Sequence, residues 1–261
     1  MFVDSHCHLD RLEWDKLNAQ LPDVINAASA AGVEHLLCVS VSLAEFEQMA
    51  ALVAPFENVS ISCGEHPLHQ TDTVDTELLL HHCRTAKVVA VGETGLDYFY
   101  AAETKQAQQA AFVEHLEVAA QVRKPVIIHT RDARADTLAL MKSHRAEDAG
   151  GVLHCFTESW EMAKAALDMG FYISISGIMT FRNASALRDV VKKLPLDALL
   201  IETDSPYLAP VPHRGKTNQP AYVTAVAAAV AEVKGVAIEE LARQTTDNFY
   251  RLFAGIERKK T

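Results

Sequence analysis

Eight short apolar runs punctuate the chain, near 2–6, 35–40, 59–63, 88–92, 125–129, 151–155, 171–176 and 198–203, with amphipathic stretches between them. Runs such as VVAVGE and ALLIET are rich in Val, Ile and Leu without strict apolar–polar alternation. That pattern suits strands covered on both faces of a parallel sheet. Residues 104–122 carry Phe112, Leu116, Ala119 and Ala120 at helical spacing and stop before Pro125. A second helix is expected to start at Asn218 as N-cap, with Pro220 in its first turn, and to end at Gly235. A last helix near 238–253 has no strand after it.

Eight strand–helix pairs in about 250 residues is the arithmetic of a closed (β/α)8 TIM barrel. The expectation is therefore an α/β chain forming one such barrel domain over residues 1–261, with an extra C-terminal helix. An open doubly wound sheet would want a glycine-rich phosphate turn after an early strand, and the sequence has none. With 49% hydrophobic residues, a chain of this size can bury enough surface to fold without covalent staples. The five cysteines (Cys7, Cys38, Cys63, Cys83, Cys155) are scattered and lack a C-x-x-C pair, which argues against a disulfide framework or a thiolate zinc site. No apolar run reaches the roughly 18 residues of a membrane span. The N-terminus has neither a basic leader nor an apolar signal core, so the chain is read as complete and cytoplasmic, with no membrane and no obligate protein partner.

In a parallel barrel the C-terminal ends of the strands open onto one face, where reactive groups collect. The first run ends DSHCH, and alternation points His6 and His8 the same way, a natural chelate for a divalent ion. The fourth run leads into Glu93, the fifth ends at His129 and the sixth at His154, while Glu202 and Asp204 share a face at the end of the eighth. Any one of these residues alone reads as a structural hydrogen-bonding group. Together on one barrel face they would leave several charges and lone pairs unsatisfied, at roughly 1–3 kcal/mol each, unless a cation joins them.

Six donors (His6, His8, Glu93, His129, His154 and Asp204) are too many for one catalytic ion that keeps an open position, but suffice for two if a carboxylate bridges. Glu93 is the candidate bridge. Asp204 is expected to complete the ion held by His6 and His8, leaving His129 and His154 for the other. Nitrogen-rich ligation favours Zn²⁺ or Mn²⁺ over Mg²⁺. Two such cations can hold a bridging hydroxide and stabilise a leaving oxygen, which is hydrolytic chemistry. Asp204 can also take the proton, and Glu202 is placed to orient a histidine from behind.

The net charge of −10 opposes a protein that coats nucleic acid, yet the loop SPYLAPVPHRGKTNQP (205–220) holds His213, Arg214 and Lys216 and no acid. With Arg131 and Arg182, it points to an anionic substrate at the barrel mouth. The stretches DSHCHLD, GEHP, GETGLDY, KPVIIHTRDA, HCFT, SGIMTF, ETDSPYLAP and RGKTNQP, spread over nearly the whole chain, resemble those of the TatD-like metal-dependent deoxyribonucleases of the amidohydrolase superfamily. The resemblance implies a binuclear site of two divalent ions (Zn, Mn or Mg) on the six donors, with Glu93 in place of the modified bridging lysine of many relatives. It also implies phosphodiester hydrolysis, often 3′-to-5′ on single-stranded DNA, so that nucleic acid is a substrate rather than a tightly held partner. His66, in GEHP, is then a candidate phosphate contact. Hydrolysis of small esters, lactones or amides, deacylation of D-aminoacyl-tRNA, and non-catalytic metal binding are the alternatives.

Overall fold

The computed structural model describes residues 1–70 and 73–258. Its strands are β1 (Phe2–Cys7), β2 (Val33–Cys38), β3 (Val59–Cys63), β4 (Val88–Asp97), β5 (Val126–Arg131), β6 (Gly151–Leu153), β7 (Tyr172–Ile175) and β8 (Leu199–Ile201). They form one sheet in the order β1 to β8, every pair parallel. A single bridge between Cys7 and Ser205 brings the last strand back to the first, giving a nearly closed TIM barrel with helices in the connections.

The absence of alternation in the strands has its reason here, since both faces are covered. Leu36, Val91, Ile128, Leu153 and Ile173 pack outward into the layer shared with the helices. Leu37, Val89, Ile127, Val152 and Leu200 point into the barrel. The interior is plugged by Phe249 of helix Ile238–Leu252 and by Phe253 just beyond it. Asn248 donates to the carbonyls of Leu196 and Leu199, and Thr246 to that of Met1, so this helix closes the end from which the strands start.

The seam between β1 and β8 is held largely by side chains. The buried Asp4 carboxyl accepts from Thr203 N at 2.8 Å and Thr203 Oγ1 at 2.5 Å. Ser5 Oγ donates to Ile201 O, and two backbone bonds follow, Asp204 N to His6 O and His8 N to Ser205 O.

Some boundaries differ from the sequence expectation. β4 runs on to Asp97, while β6 and β8 stop before His154 and Glu202. The helix read as capped by Asn218 begins instead as a 3-10 turn at Pro220, with Gln219 as its N-cap, before Val223–Lys234. Asn218 is fully buried, and its amide donates to Thr203 O and Tyr207 O. It ties the loop after β8 to the barrel instead of capping a helix.

Two buried histidines away from the strand ends tune acid stability. Burial lowers His35, beside Ser60 Oγ, to about 4, and lowers His115 to about 4 against a weaker opposing pull from Ala111 O. Both are neutral when folded, so the unfolded chain binds more protons between pH 4 and 6.5, and stability falls as pH drops through that window. Urea unfolding at pH 7 and pH 5 should show His35→Gln losing about 2 kcal/mol less on acidification than wild type. An identical pH dependence in the variant would refute this.

Candidate metal centre

At the C-terminal ends of the strands, five imidazoles converge on one buried carboxylate. Glu93 sits within β4 between two glycines, Gly92 and Gly95, whose backbones only glycine tolerates. Gly92 has φ +133°, and a Cβ there would lie 2.6 Å from Ile127 O. Gly95 has φ +135°, and a Cβ would lie 2.0 Å from His129 O. These close approaches let β4 press against β5 and turn the Glu93 carboxylate into the barrel mouth.

Its two oxygens face different partners. Glu93 Oε2 is 3.3 Å from His6 Nε2 and 3.8 Å from His8 Nε2. Oε1 is 2.6 Å from His154 Nε2, 3.2 Å from His129 Nδ1 and 3.3 Å from His66 Nε2. Asp204 Oδ1 lies 3.3 Å from His8 Nε2 and 3.8 Å from His6 Nε2. The sequence reading put Glu202 and Asp204 on one face by strand alternation. The strand ends before both, and Asp204 instead reaches the cluster through a left-handed turn at φ +56°.

Hydrogen bonds behind the rings fix which nitrogen offers a lone pair. His8 Nδ1 lies 2.9 Å from Val39 O, so in the neutral ring it carries the proton and Nε2 offers the lone pair. His129 Nε2 donates to Asp97 Oδ2 at 3.0 Å, which frees Nδ1. His154 Nδ1 faces Glu202 Oε1 at 3.3 Å, and the same oxygen accepts from Cys155 N at 2.7 Å. His154 Nε2 is buried and, despite its closeness to Glu93, has no hydrogen bond among the described residues. Inner lone pairs with outer N–H groups held by carbonyls or carboxylates are the arrangement of metal-ligating histidines. His66 is wired the opposite way. Its Nδ1 accepts from Leu68 N at 3.1 Å, so in the neutral ring Nε2 is a donor. Distance alone groups His66 with Glu93 and His129, but this tautomer makes it a poorer ligand than the others.

The electrostatics match a site built for cations. Burial would raise Glu93, but the surrounding histidines outweigh it and hold its pKa well below the usual range. Asp204 is likewise held low against burial by His8 and His6. Burial and His154 push His6 down, and burial lowers His66. For His8 burial is overcome by Asp204 and Glu93, which raise it to about 9. His154 is raised by Glu93 and Glu202, and His129 by Asp97 and Glu93, again against burial. Ionised carboxylates among coupled imidazoles give a buried His/Glu cluster that could bind metal.

Asp97 was not singled out in the sequence. Ending the strand at 92 places it in a loop, whereas β4 continues to 97 and brings it behind His129. The basic residues spread around the mouth. The guanidinium of Arg131 lies 4.3 Å from the Phe99 ring centre and 4.5 Å from that of Tyr100. Arg214 donates to Ala209 O and sits 4.0 Å over Phe181, while His213 stacks on Tyr222 at 3.7 Å. Arg182 and Lys216 are exposed.

Residues 3–254 match the family described as TatD related DNase. The chain belongs to the TatD family. It is 56% identical over 251 residues to the uncharacterized metal-dependent hydrolase YcfH of Escherichia coli K12, covering 96% of this chain and 95% of that one. It is 35% identical over 239 residues to the 3′-5′ ssDNA/RNA exonuclease TatD of Klebsiella pneumoniae, with 88% and 90% covered. Among solved structures, the TatD homologue YjjV of Escherichia coli K12 superposes with a TM-score of 0.89 at 32% identity, covering 97% and 98%. The protein is thus a metal-dependent hydrolase of the TatD family.

Replacing Asp97 by Asn should weaken metal binding about 10- to 100-fold by removing the acceptor that holds His129, and Glu93→Ala should remove most of the bound metal. Titration calorimetry and elemental analysis of the dialysed protein measure both. Full metal content in Glu93→Ala would contradict the assignment of the cluster.

Proposed function

We propose that this TatD-family hydrolase is a two-metal phosphodiesterase that cuts single-stranded nucleic acid, with DNA degraded from the 3′ end as the favoured activity. The observation that carries this reading is the division of labour on Glu93, whose Oε2 faces His6 and His8 while Oε1 faces His129 and His154. A carboxylate presenting one oxygen to each of two imidazole pairs is suited to bridging two cations. Asp204 joins the first pair, so His6, His8, Glu93, His129, His154 and Asp204 would hold them. Zn²⁺ or Mn²⁺ suits this nitrogen-rich set, with Mg²⁺ the weaker candidate. When bound, such cations supply Lewis-acid activation of water and of phosphate oxygens.

The chain's own groups supply the rest. Asp204 is buried but held ionised, and its carboxylate can accept the proton released as water attacks. His66, fixed as an Nε2 donor, can hydrogen-bond a phosphate oxygen. Glu202 and Asp97 keep His154 and His129 in the right tautomer. Arg131, Arg182, Arg214 and Lys216 set cationic groups around the mouth of a chain whose net charge is −10, which favours a polyanion over a neutral ester. His213, its pKa lowered by burial and by Lys216, is a neutral ring among them. Membership of the TatD related DNase family and the likeness to a 3′-5′ ssDNA/RNA exonuclease support the same substrate class.

A chelator should abolish hydrolysis of a short single-stranded oligonucleotide, and Mn²⁺, Zn²⁺ or Mg²⁺ should restore it. Arg214→Ala should raise KM for the oligonucleotide about tenfold, the worth of roughly 1.5 kcal/mol in one charge-assisted hydrogen bond, and leave a neutral ester unaffected. Vigorous turnover of simple esters beside an uncut oligonucleotide would overturn the reading.

A further inference from the structure

Among the described residues, the large aromatic side chains left exposed are Phe99, Tyr100 and Tyr207, and all three lie in loops at the mouth of the barrel. Tyr207 follows Asp204 and has its ring 6.0 Å from that of His8. Phe99 and Tyr100 follow β4 on the other flank, beside His129, and are 56% and 61% exposed. Their rings meet edge to face at 4.7 Å and 88°.

This pair is held in place rather than left loose. Asp97 Oδ1 accepts from Phe99 N at 3.1 Å and from Tyr100 N at 2.9 Å, while Oδ2 of the same carboxylate holds His129. The fully buried Gln108 pins both ends of the turn: its Oε1 accepts from Asp97 N, and its Nε2 donates to Asp97 O and Ala101 O. Arg131 pairs with Asp97 across the β4–β5 ladder and lays its guanidinium against both rings. The neighbouring cations are neutralised, Lys105 by Asp136 and Arg134 by Glu158, whereas Arg131 makes no ion pair among the described residues. A fixed pair of exposed π-faces beside an unpaired guanidinium matches the chemistry of an unstacked base and its phosphate.

We propose that Phe99, Tyr100 and Arg131 form a stacking subsite that grips a nucleobase of a single-stranded substrate next to the metal cluster. The subsite rests on the nucleic-acid reading above and adds to it the element that recognises bases. Because Asp97 shapes the turn and holds His129 with the same carboxylate, the base platform and the cluster are joined in one rigid unit. Stacking tolerates any base, so the subsite selects for unpaired strands and against duplex, whose bases are already stacked.

The test uses metal-loaded enzyme and a phosphorothioate single strand carrying 2-aminopurine at successive positions, with an abasic strand of equal length as control. Wild type should quench 2-aminopurine at one or two positions. Phe99→Ala/Tyr100→Ala should lose the quench and bind about tenfold more weakly, with the abasic strand bound alike by both proteins. Phe99→Leu/Tyr100→Leu keeps apolar surface without π-faces and should behave like the alanine variant. Undiminished quenching in both variants, or equal weakening on the abasic strand, would overturn the subsite. An ordinary strand that is bound and quenched yet never cut would refute the nuclease activity while leaving the subsite standing; one cut equally well by all variants would do the reverse.

Discussion

A carboxylate sits among five imidazoles where water barely reaches, and much of the remaining architecture serves to keep it there. Burying an ionised group without partners is prohibitively expensive, and Glu93 avoids that only because His6, His8, His66, His129 and His154 surround it. His6 and His129 belong to β1 and β5, while His8, His66 and His154 lie in the segments just after β1, β3 and β6. The barrel is what makes their distant positions in sequence coincide in space. Gly92 and Gly95 give up side chains so that β4 can approach β5, and the carboxylates of Asp97 and Glu202 stand behind two of the rings. Each of these choices makes sense only in relation to the central charge.

The eight strands were legible because a strand buried on both sides leaves an unbroken apolar run, a strong local signal. The gathering of His6, His8, Glu93, His129, His154 and Asp204 was legible for a related reason, since strand ends of a parallel barrel share one face. What the sequence hid depends on contacts between segments far apart. Asn218 has the chemistry of a helix cap, but tertiary carbonyls of Thr203 and Tyr207 claim its amide. Asp97 lay outside the expected strand because pairing with β5 extends β4 past the apolar run. The wiring of His66 as a donor rests on one backbone N–H, from Leu68, that no spacing rule exposes.

The cationic groups around the mouth differ in how firmly they are held. Arg214 spends a donor on Ala209 O and its face on Phe181, so it also shapes the loop it belongs to. The Arg131 guanidinium rests on the Phe99 and Tyr100 rings and makes no hydrogen bond or ion pair among the described residues. In a chain whose net charge is −10, these guanidiniums are local cations held at the strand-end loops.

The weakly laddered junction between the first and last strands bears on this arrangement. His6 and His8 stand on one side of it and Asp204 on the other, with Asp4 and Thr203 stitched beneath. A cation shared by those three donors would act as a clasp on the hoop of strands, fastening the two ends of the ring where hydrogen-bonded staves are fewest. Loading the centre would then stiffen the whole cylinder, and the tightness of the ring and the grip on the ion would rise and fall together.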